Sequence, residues 1–91
     1  MGIVTERPEA ATAAQLNVDR DRATTVTYVY PGSPAEKAGL RRYDVITGID
    51  ANDCVSPAKL REIVRGHRKG DELKVSYIRE GKPAETTVTL D

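Results

Sequence analysis

The amino-acid sequence predicts an α+β domain, a partly open β-barrel or sandwich of five or six short strands capped by two or three helices. Runs of β-branched and aromatic residues, two helix starts in which serine precedes proline, and glycines at the expected turns all favour this class. The chain has 91 residues, which suits one domain over residues 1–91. Because it begins Met-Gly and has no targeting segment, we expect it to be a piece of a longer protein.

The first half of the chain alternates strands with helices. Residues 2–5 are predicted to form a short strand, and Pro8 begins an alanine-rich helix that reaches Leu16. Residues 24–30 form the strongest predicted strand, since nearly all of them are β-branched or aromatic. Residues 33–36 read Ser-Pro-Ala-Glu, which is the pattern of a capping box and predicts a short helix.

The second half contains one longer helix among strands. Residues 44–50 are predicted as a strand, and residues 54–55 as a short return strand. A Ser-Pro start and apolar residues at helical spacing predict a helix over 57–65. Two alternating runs, 73–79 and 86–90, flank a glycine-containing turn and predict a hairpin.

The charge composition argues against two classes of partner. Lys and Arg number 14, Asp and Glu also number 14, and the formal net charge is therefore zero. Such a chain has no general attraction to nucleic acid or to an anionic membrane, and no stretch approaches the length of a membrane span. The densest basic stretch lies within residues 59–69, and we interpret it as a solvated helix face. We expect neither nucleic-acid binding nor membrane insertion.

The sequence also lacks the patterns of a catalytic or metal site. His67 is the only histidine and lies in a polar segment, where we expect it to be solvated. Cys54 is the only cysteine, so an internal disulfide is excluded, and a Cys54–His67 dyad is a weak alternative to a small buried thiol. There is no Gly-x-Ser-x-Gly elbow, phosphate loop or dinucleotide fingerprint. We predict no catalytic residues, no metal and no cofactor.

The segment from Tyr30 to Leu40, followed by Asp44 to Asp50, resembles the most recognisable stretch of bacterial PDZ domains. It looks most like the PDZ domains of HtrA-type, periplasmic serine proteases. The resemblance covers residues 24–90 strongly and 1–18 more weakly, and it implies the PDZ fold with the permuted strand order of bacterial members. One departure is Tyr43, where the family usually has glycine, so the shape of that turn is left open.

What the resemblance implies about function is a module that binds C-terminal or unfolded peptide segments. This chain alone would then not be an enzyme, while its parent would be a serine endopeptidase of the periplasm or cell envelope. Contacts with the protease domain or with other protomers of the parent are expected as well, and the isolated chain is expected to be soluble. One alternative is an assembly module of another envelope protein, such as a site-2 or C-terminal processing protease, a secretion protein or a scaffold. A second alternative is a groove that has lost its function.

In such a site, an extended peptide pairs with an exposed strand edge, and its carboxylate lies among backbone N–H groups. Met1-Gly2-Ile3 matches the apolar-Gly-apolar loop of the resembled family. The strand after this loop would supply the pairing edge, and the helix over 57–65 would supply the opposite wall. The predicted peptide-binding residues are Met1, Gly2, Ile3, Val4, Thr5, Pro57, Arg61 and Val64.

Several of these residues have a plain alternative. Val64 is expected to form the floor of a pocket with Ile3 and to favour an apolar terminal residue such as Val, Leu, Ile or Ala, but it would also fit in the core. Arg61 could favour an acidic residue further back in the ligand, help to draw in the carboxylate, or be an ordinary surface residue. Gly2 could be a cloning remnant beside the initiating methionine.

Overall fold

The computed structural model describes residues 2–19, 21–50, 52 and 55–90. Five strands and three helices follow one another through these ranges. In chain order they are β1 (Ile3–Glu6), α1 (Ala10–Leu16), β2 (Thr24–Val29), α2 (Pro34–Lys37), β3 (Val45–Ile49), α3 (Pro57–Arg65), β4 (Glu72–Arg79) and β5 (Lys82–Thr89).

The five strands form one antiparallel sheet in the order β1-β2-β3-β4-β5. β2 and β3 are paired at only two positions, whereas β4 and β5 are paired along their whole length. β1 and β5 are the outer strands, so the sheet stays open rather than closing into a barrel. The predicted fold class, with short strands and helices around a partly open sheet, is confirmed.

An aliphatic core lies between the sheet and the helices. Leu73, Val75 and Tyr77 of β4 are buried and alternate with more exposed residues, as period-two patterning requires. Leu60 brings α3 onto the same core with only 4% of its surface exposed. Burying side chains of this size stabilises the fold by about 1.5–3 kcal/mol each, so the core fixes α3 against the sheet.

The helix boundaries follow the local capping chemistry. Ser56 accepts a hydrogen bond from the Lys59 N–H at 3.2 Å, and α3 then spans the residues that the sequence predicts. α1 begins at Ala10, later than the predicted Pro8, and its Glu9 cap makes no side-chain bond. Asn17 ends α1 in the left-handed conformation, with φ of 56°.

The predicted return strand at 54–55 is wrong for Val55. This residue is buried in the core, but it belongs to no strand. Its N–H donates to the Arg22 carbonyl at 3.0 Å, so a loop contact replaces ladder pairing. Cys54 lies outside the described residues. Val55 is β-branched and buried, but neither property alone makes a strand.

An ion pair between the buried Asp44 and the partly exposed Arg79 closes the turn before β3. The Arg79 Nε donates to one Asp44 carboxylate oxygen at 2.9 Å, and its terminal nitrogen donates to the other at 2.7 Å. The same carboxylate accepts the Arg41 N–H at 2.9 Å. The hydrogen bond to Asp44 raises the pKa of Arg79, so this guanidinium stays charged. Asp44 therefore has a structural role at the end of this turn.

Candidate functional site

The residue before β1 is a glycine for two physical reasons. Gly2 has φ of +81°, in the left-handed region that side chains disfavour. A Cβ at this position would also lie 2.8 Å from the Ser33 Oγ, too close for contact without movement. Ser33 is the N-cap of α2, so the segment before β1 packs directly on the start of that helix. These two reasons explain a glycine at position 2 by the structure, which the cloning-remnant alternative does not do.

Alternate main-chain groups of β1 are directed toward the outer edge of the sheet. Three carbonyls point the other way, toward the β2 segment: Gly2 accepts the Tyr30 N–H at 2.9 Å, Val4 the Thr27 hydroxyl at 3.1 Å and Glu6 the Thr24 hydroxyl at 3.2 Å. Because successive residues of a strand alternate in direction, the N–H and C=O groups of Ile3 and Thr5 face the open edge. Within the described ranges no strand pairs with that edge.

A cavity of about 410 Å³ lies between this edge and α3. We call it the β1–α3 groove, and its size is within the range typical of ligand pockets. Most of the side chains that line it are apolar, and two arginine side chains line it on the α3 side. The lining residues are Gly2, Ile3, Val4, Thr5, Leu60, Arg61, Val64 and Arg65.

α3 presents a mixed face to the groove. Leu60 is buried in the core and also lines the groove, while Val64 is half-buried and packs against the core from the same side. Arg61 is exposed at the groove wall. Val64 thus belongs partly to the core and partly to the groove, and both interpretations of its spacing hold in part.

Six of the eight predicted site residues come together at the groove. Of the other two, Met1 lies outside the described residues, and Pro57 begins α3 but is not among the residues that line the cavity. Arg65 lines the groove and was not predicted. It follows Arg61 by four residues, so the i, i+4 spacing was the available signal.

A second cavity, of about 500 Å³, lies beside α1 and the β4–β5 turn. Val45 and Ile78, which line it, are paired with each other in the β3–β4 ladder. Its strand edges are therefore already used for pairing within the sheet. The β1–α3 groove, in contrast, combines apolar side chains with main-chain groups of β1 that no described strand pairs.

The described residues offer little for catalysis. His67 is half-buried rather than solvated, and its Nδ1 lies 2.6 Å from the Ile63 carbonyl at the end of α3. This contact explains the histidine as a helix-end residue, which corrects the expectation of a solvated ring. Throughout the described ranges, no group of three or more His, Cys, Asp or Glu side chains could hold a metal. Nor is any helix in those ranges long and apolar enough to cross a membrane.

The fold and the groove define a class of small α+β domains in which an edge strand lies beside a helix with a cleft between them. The family model described as PDZ domain matches residues 4–90, and the chain belongs to this family. The resemblance noted in the sequence is thereby confirmed over almost the whole chain.

Curated relatives are longer proteins that contain a similar segment. The chain is 36% identical over 91 residues to the periplasmic pH-dependent serine endoprotease DegQ of Escherichia coli strain K12. It is 32% identical over 90 residues to the periplasmic serine endoprotease DegP of the same strain. These matches cover 100% and 99% of this chain, but only 20% and 19% of the relatives. The chain thus spans about a fifth of the length of these relatives.

Solved structures show the same fold. The HtrA-type protease AlgW with tripeptide superposes with a TM-score of 0.84 at 24% identity, covering 97% of this chain and 29% of that one. The HtrA3 PDZ domain bound to a phage-derived ligand, FGRWV, superposes with a TM-score of 0.79 at 18% identity, covering 98% and 81%. At these identities the likeness establishes architecture, and it agrees with the strand order and helices described above.

Proposed function

We propose that this chain is a peptide-binding module that captures the C-terminal or extended end of another polypeptide by strand addition. The observation that carries the proposal is the unpaired edge of β1 beside the β1–α3 groove. Main-chain groups of Ile3 and Thr5 are directed to this edge, so an incoming strand would find hydrogen-bonding partners there. The chain performs no chemistry in this role, because strand addition requires only binding.

The ligand's last residue is assigned to the end of the groove next to Gly2. Positive φ at a glycine turns successive N–H groups to one side of the chain, which is the arrangement that holds a carboxylate. Ile3 and Val64 line the groove with apolar surface, so a terminal Val, Leu, Ile or Ala is expected. Met1 and Pro57 remain predicted peptide-binding residues as part of this proposal.

The parent is proposed to be a periplasmic or cell-envelope serine endopeptidase of HtrA type, with residues 1–91 as a single PDZ domain within it. The sequence relatives are periplasmic endoproteases, and a chain that spans a fifth of their length fits a regulatory or substrate-recruiting part. The two solved neighbours are an HtrA-type protease with a tripeptide and a PDZ domain bound to a phage-derived ligand, which supports peptide partners here. Contacts with a protease domain or with other protomers belong to the same proposal.

The experiment is a titration of the isotope-labelled chain, followed by its amide resonances. The probe is the pentapeptide Phe-Gly-Arg-Trp-Val, compared with the same peptide amidated at its C-terminus. We expect saturable shifts at Gly2, Ile3 and Val64 with the free acid, and much weaker shifts with the amide. Shifts confined to the second cavity, around Tyr43 and Val45, would contradict the proposal, and so would the absence of any saturable shift with a panel ending in Val, Leu, Ile and Ala.

A further inference from the structure

We propose that the β1–α3 groove selects peptide ends that carry an acidic side chain in addition to the terminal carboxylate. Arg61 and Arg65, on successive turns of α3, would bind that side chain. This inference rests on the proposed function, since it assumes that the groove holds a peptide end. The inference specifies which kind of side chain the ligand carries before its last residue.

The charge of the groove differs from that of the chain as a whole. The chain has 14 basic and 14 acidic residues, yet the groove lining contains Arg61 and Arg65 and no acidic residue. The rest of the lining is glycine, threonine and aliphatic side chains. The terminal carboxylate is assigned to the N–H groups beside Gly2. The two guanidinium groups therefore remain for an acidic side chain of the ligand.

Neither arginine is neutralised by a neighbour in the described part of the chain. The nearest acidic residue on α3 is Glu62, and its carboxylate pairs with the Lys59 ammonium at 3.7 Å. Arg61 and Arg65 take part in no ion pair with a described residue, and both are exposed. A guanidinium in this state retains its donors for an incoming carboxylate, which it can bind through two parallel hydrogen bonds.

The spacing of the two arginines fits one stretch of an extended ligand. Residues four apart on a helix lie on the same face, with Cβ atoms about 5–6 Å apart. Alternate side chains of an extended strand are about 6.5–7 Å apart and also share a face. If the terminal side chain contacts Ile3 and Val64, the third residue from the end faces α3 as well. We therefore place the acidic residue third from the C-terminus.

The test uses two peptides that differ in one group, acetyl-Ala-Ala-Ala-Glu-Ala-Val and the same peptide with Gln in place of Glu. Affinities are measured by calorimetry with the unsubstituted chain and with Arg61→Gln, Arg65→Gln and the double variant. The matched control is Arg68→Gln, which removes the same charge from an exposed position outside the groove lining. Circular dichroism confirms that each variant is folded.

We expect the Glu peptide to bind about 3–10-fold more tightly than the Gln peptide at low salt, as partly exposed ion pairs allow. The preference should shrink in 0.5 M salt, disappear in the double variant and persist in Arg68→Gln. Equal affinity of the two peptides for the unsubstituted chain would overturn the inference and leave the proposed function standing. If the arginine variants weaken both peptides equally, the arginines serve the terminal carboxylate and the inference also fails. No saturable binding of either peptide would overturn both proposals.

Discussion

Replacing Gly2 with alanine tests the geometry on which the groove depends. The residue has φ of +81°, and a left-handed conformation costs a residue with a Cβ about 1–2 kcal/mol. The new methyl group would also meet the side chain of Ser33, and inserting a methyl into filled space costs about 1–3 kcal/mol. The full native geometry would therefore be about 2–5 kcal/mol less favourable in Gly2→Ala.

The chain need not lose all of that stability, because β1 can yield locally. It is a four-residue edge strand, and releasing its first residues removes the strain without unfolding the core. We therefore expect a fall of about 1–2 kcal/mol in the free energy of unfolding measured in urea, together with at least a tenfold loss of peptide affinity.

A second variant separates the two causes. In Gly2→Ala/Ser33→Gly the colliding side chain is absent, and glycine remains an acceptable N-cap for α2. The strain from the positive φ should persist, whereas the part of the affinity loss that comes from the collision with Ser33 should be recovered. Unchanged unfolding and unchanged binding in Gly2→Ala would refute the reasoning, since the glycine would then meet neither a conformational nor a steric need.

Three further substitutions test the fold and the groove. Asp44→Ala should lower the free energy of unfolding, measured in urea, by about 3 kcal/mol. Arg79 would lose both carboxylate contacts, and the Arg41 N–H would lose its acceptor. A loss below about 1 kcal/mol would contradict the structure. Glu80→Asn should raise the midpoint of thermal unfolding and increase the free energy of unfolding by about 0.5 kcal/mol. The reason is that φ is 53° at Glu80 and 78° at Gly81, and Asn-Gly suits a hairpin turn with two such residues. A lower midpoint would argue against that turn. Val64→Ala should lower the free energy of unfolding in urea by about 1 kcal/mol, because Val64 packs on the core. It should also weaken the binding of peptides that end in Val more than that of peptides that end in Ala. Equal weakening would show that Val64 does not contact the terminal side chain of the ligand.

Elements with a strong local signal were predictable from the sequence. β2 is rich in β-branched and aromatic residues, and α3 has a serine cap, a proline at its first position and a helical apolar pattern. Each of these patterns lies within the segment that it predicts, so the prediction does not depend on contacts between distant residues. Val55 was wrongly predicted as part of a strand because its N–H donates to the distant Arg22 carbonyl, a contact that the neighbouring residues do not indicate.

The turn at Tyr43 shows what a departure from a family pattern can and cannot reveal. Glycine is usual at this position in the resembled family, and tyrosine there left the shape of the turn open. In the structure Tyr43 adopts φ of 75°, so the turn keeps a left-handed residue despite the side chain. Its N–H donates to the Val26 carbonyl at 2.7 Å, and Asp44 closes the turn by accepting the Arg41 N–H. These tertiary contacts hold the strained residue in place.

The groove itself was predictable only in part. The order of the loop, the edge strand and the helix follows from the resemblance, and the predicted residues Ile3 and Val64 both line the groove. Arg65 was missed because the rotation of α3 about its axis decides which charged residues face β1, and periodicity locates only the apolar face. The close approach of Gly2 to Ser33 joins residues far apart in sequence, so no local pattern could report it.

An unpaired strand edge is ordinarily a liability, because it can pair with another chain and promote aggregation. Here β1 is only four residues long, its register shifts between Val4 and Thr5, and α3 stands beside it. These features leave room for one extended segment rather than for a whole second sheet. A peptide that fills this space supplies the missing neighbour of β1, so binding and stability are linked. At a free peptide concentration one hundred times its Kd, the free energy of unfolding should rise by about 2.7 kcal/mol. The unpaired edge that leaves β1 the least supported strand is therefore also the surface through which a peptide would stabilise the domain.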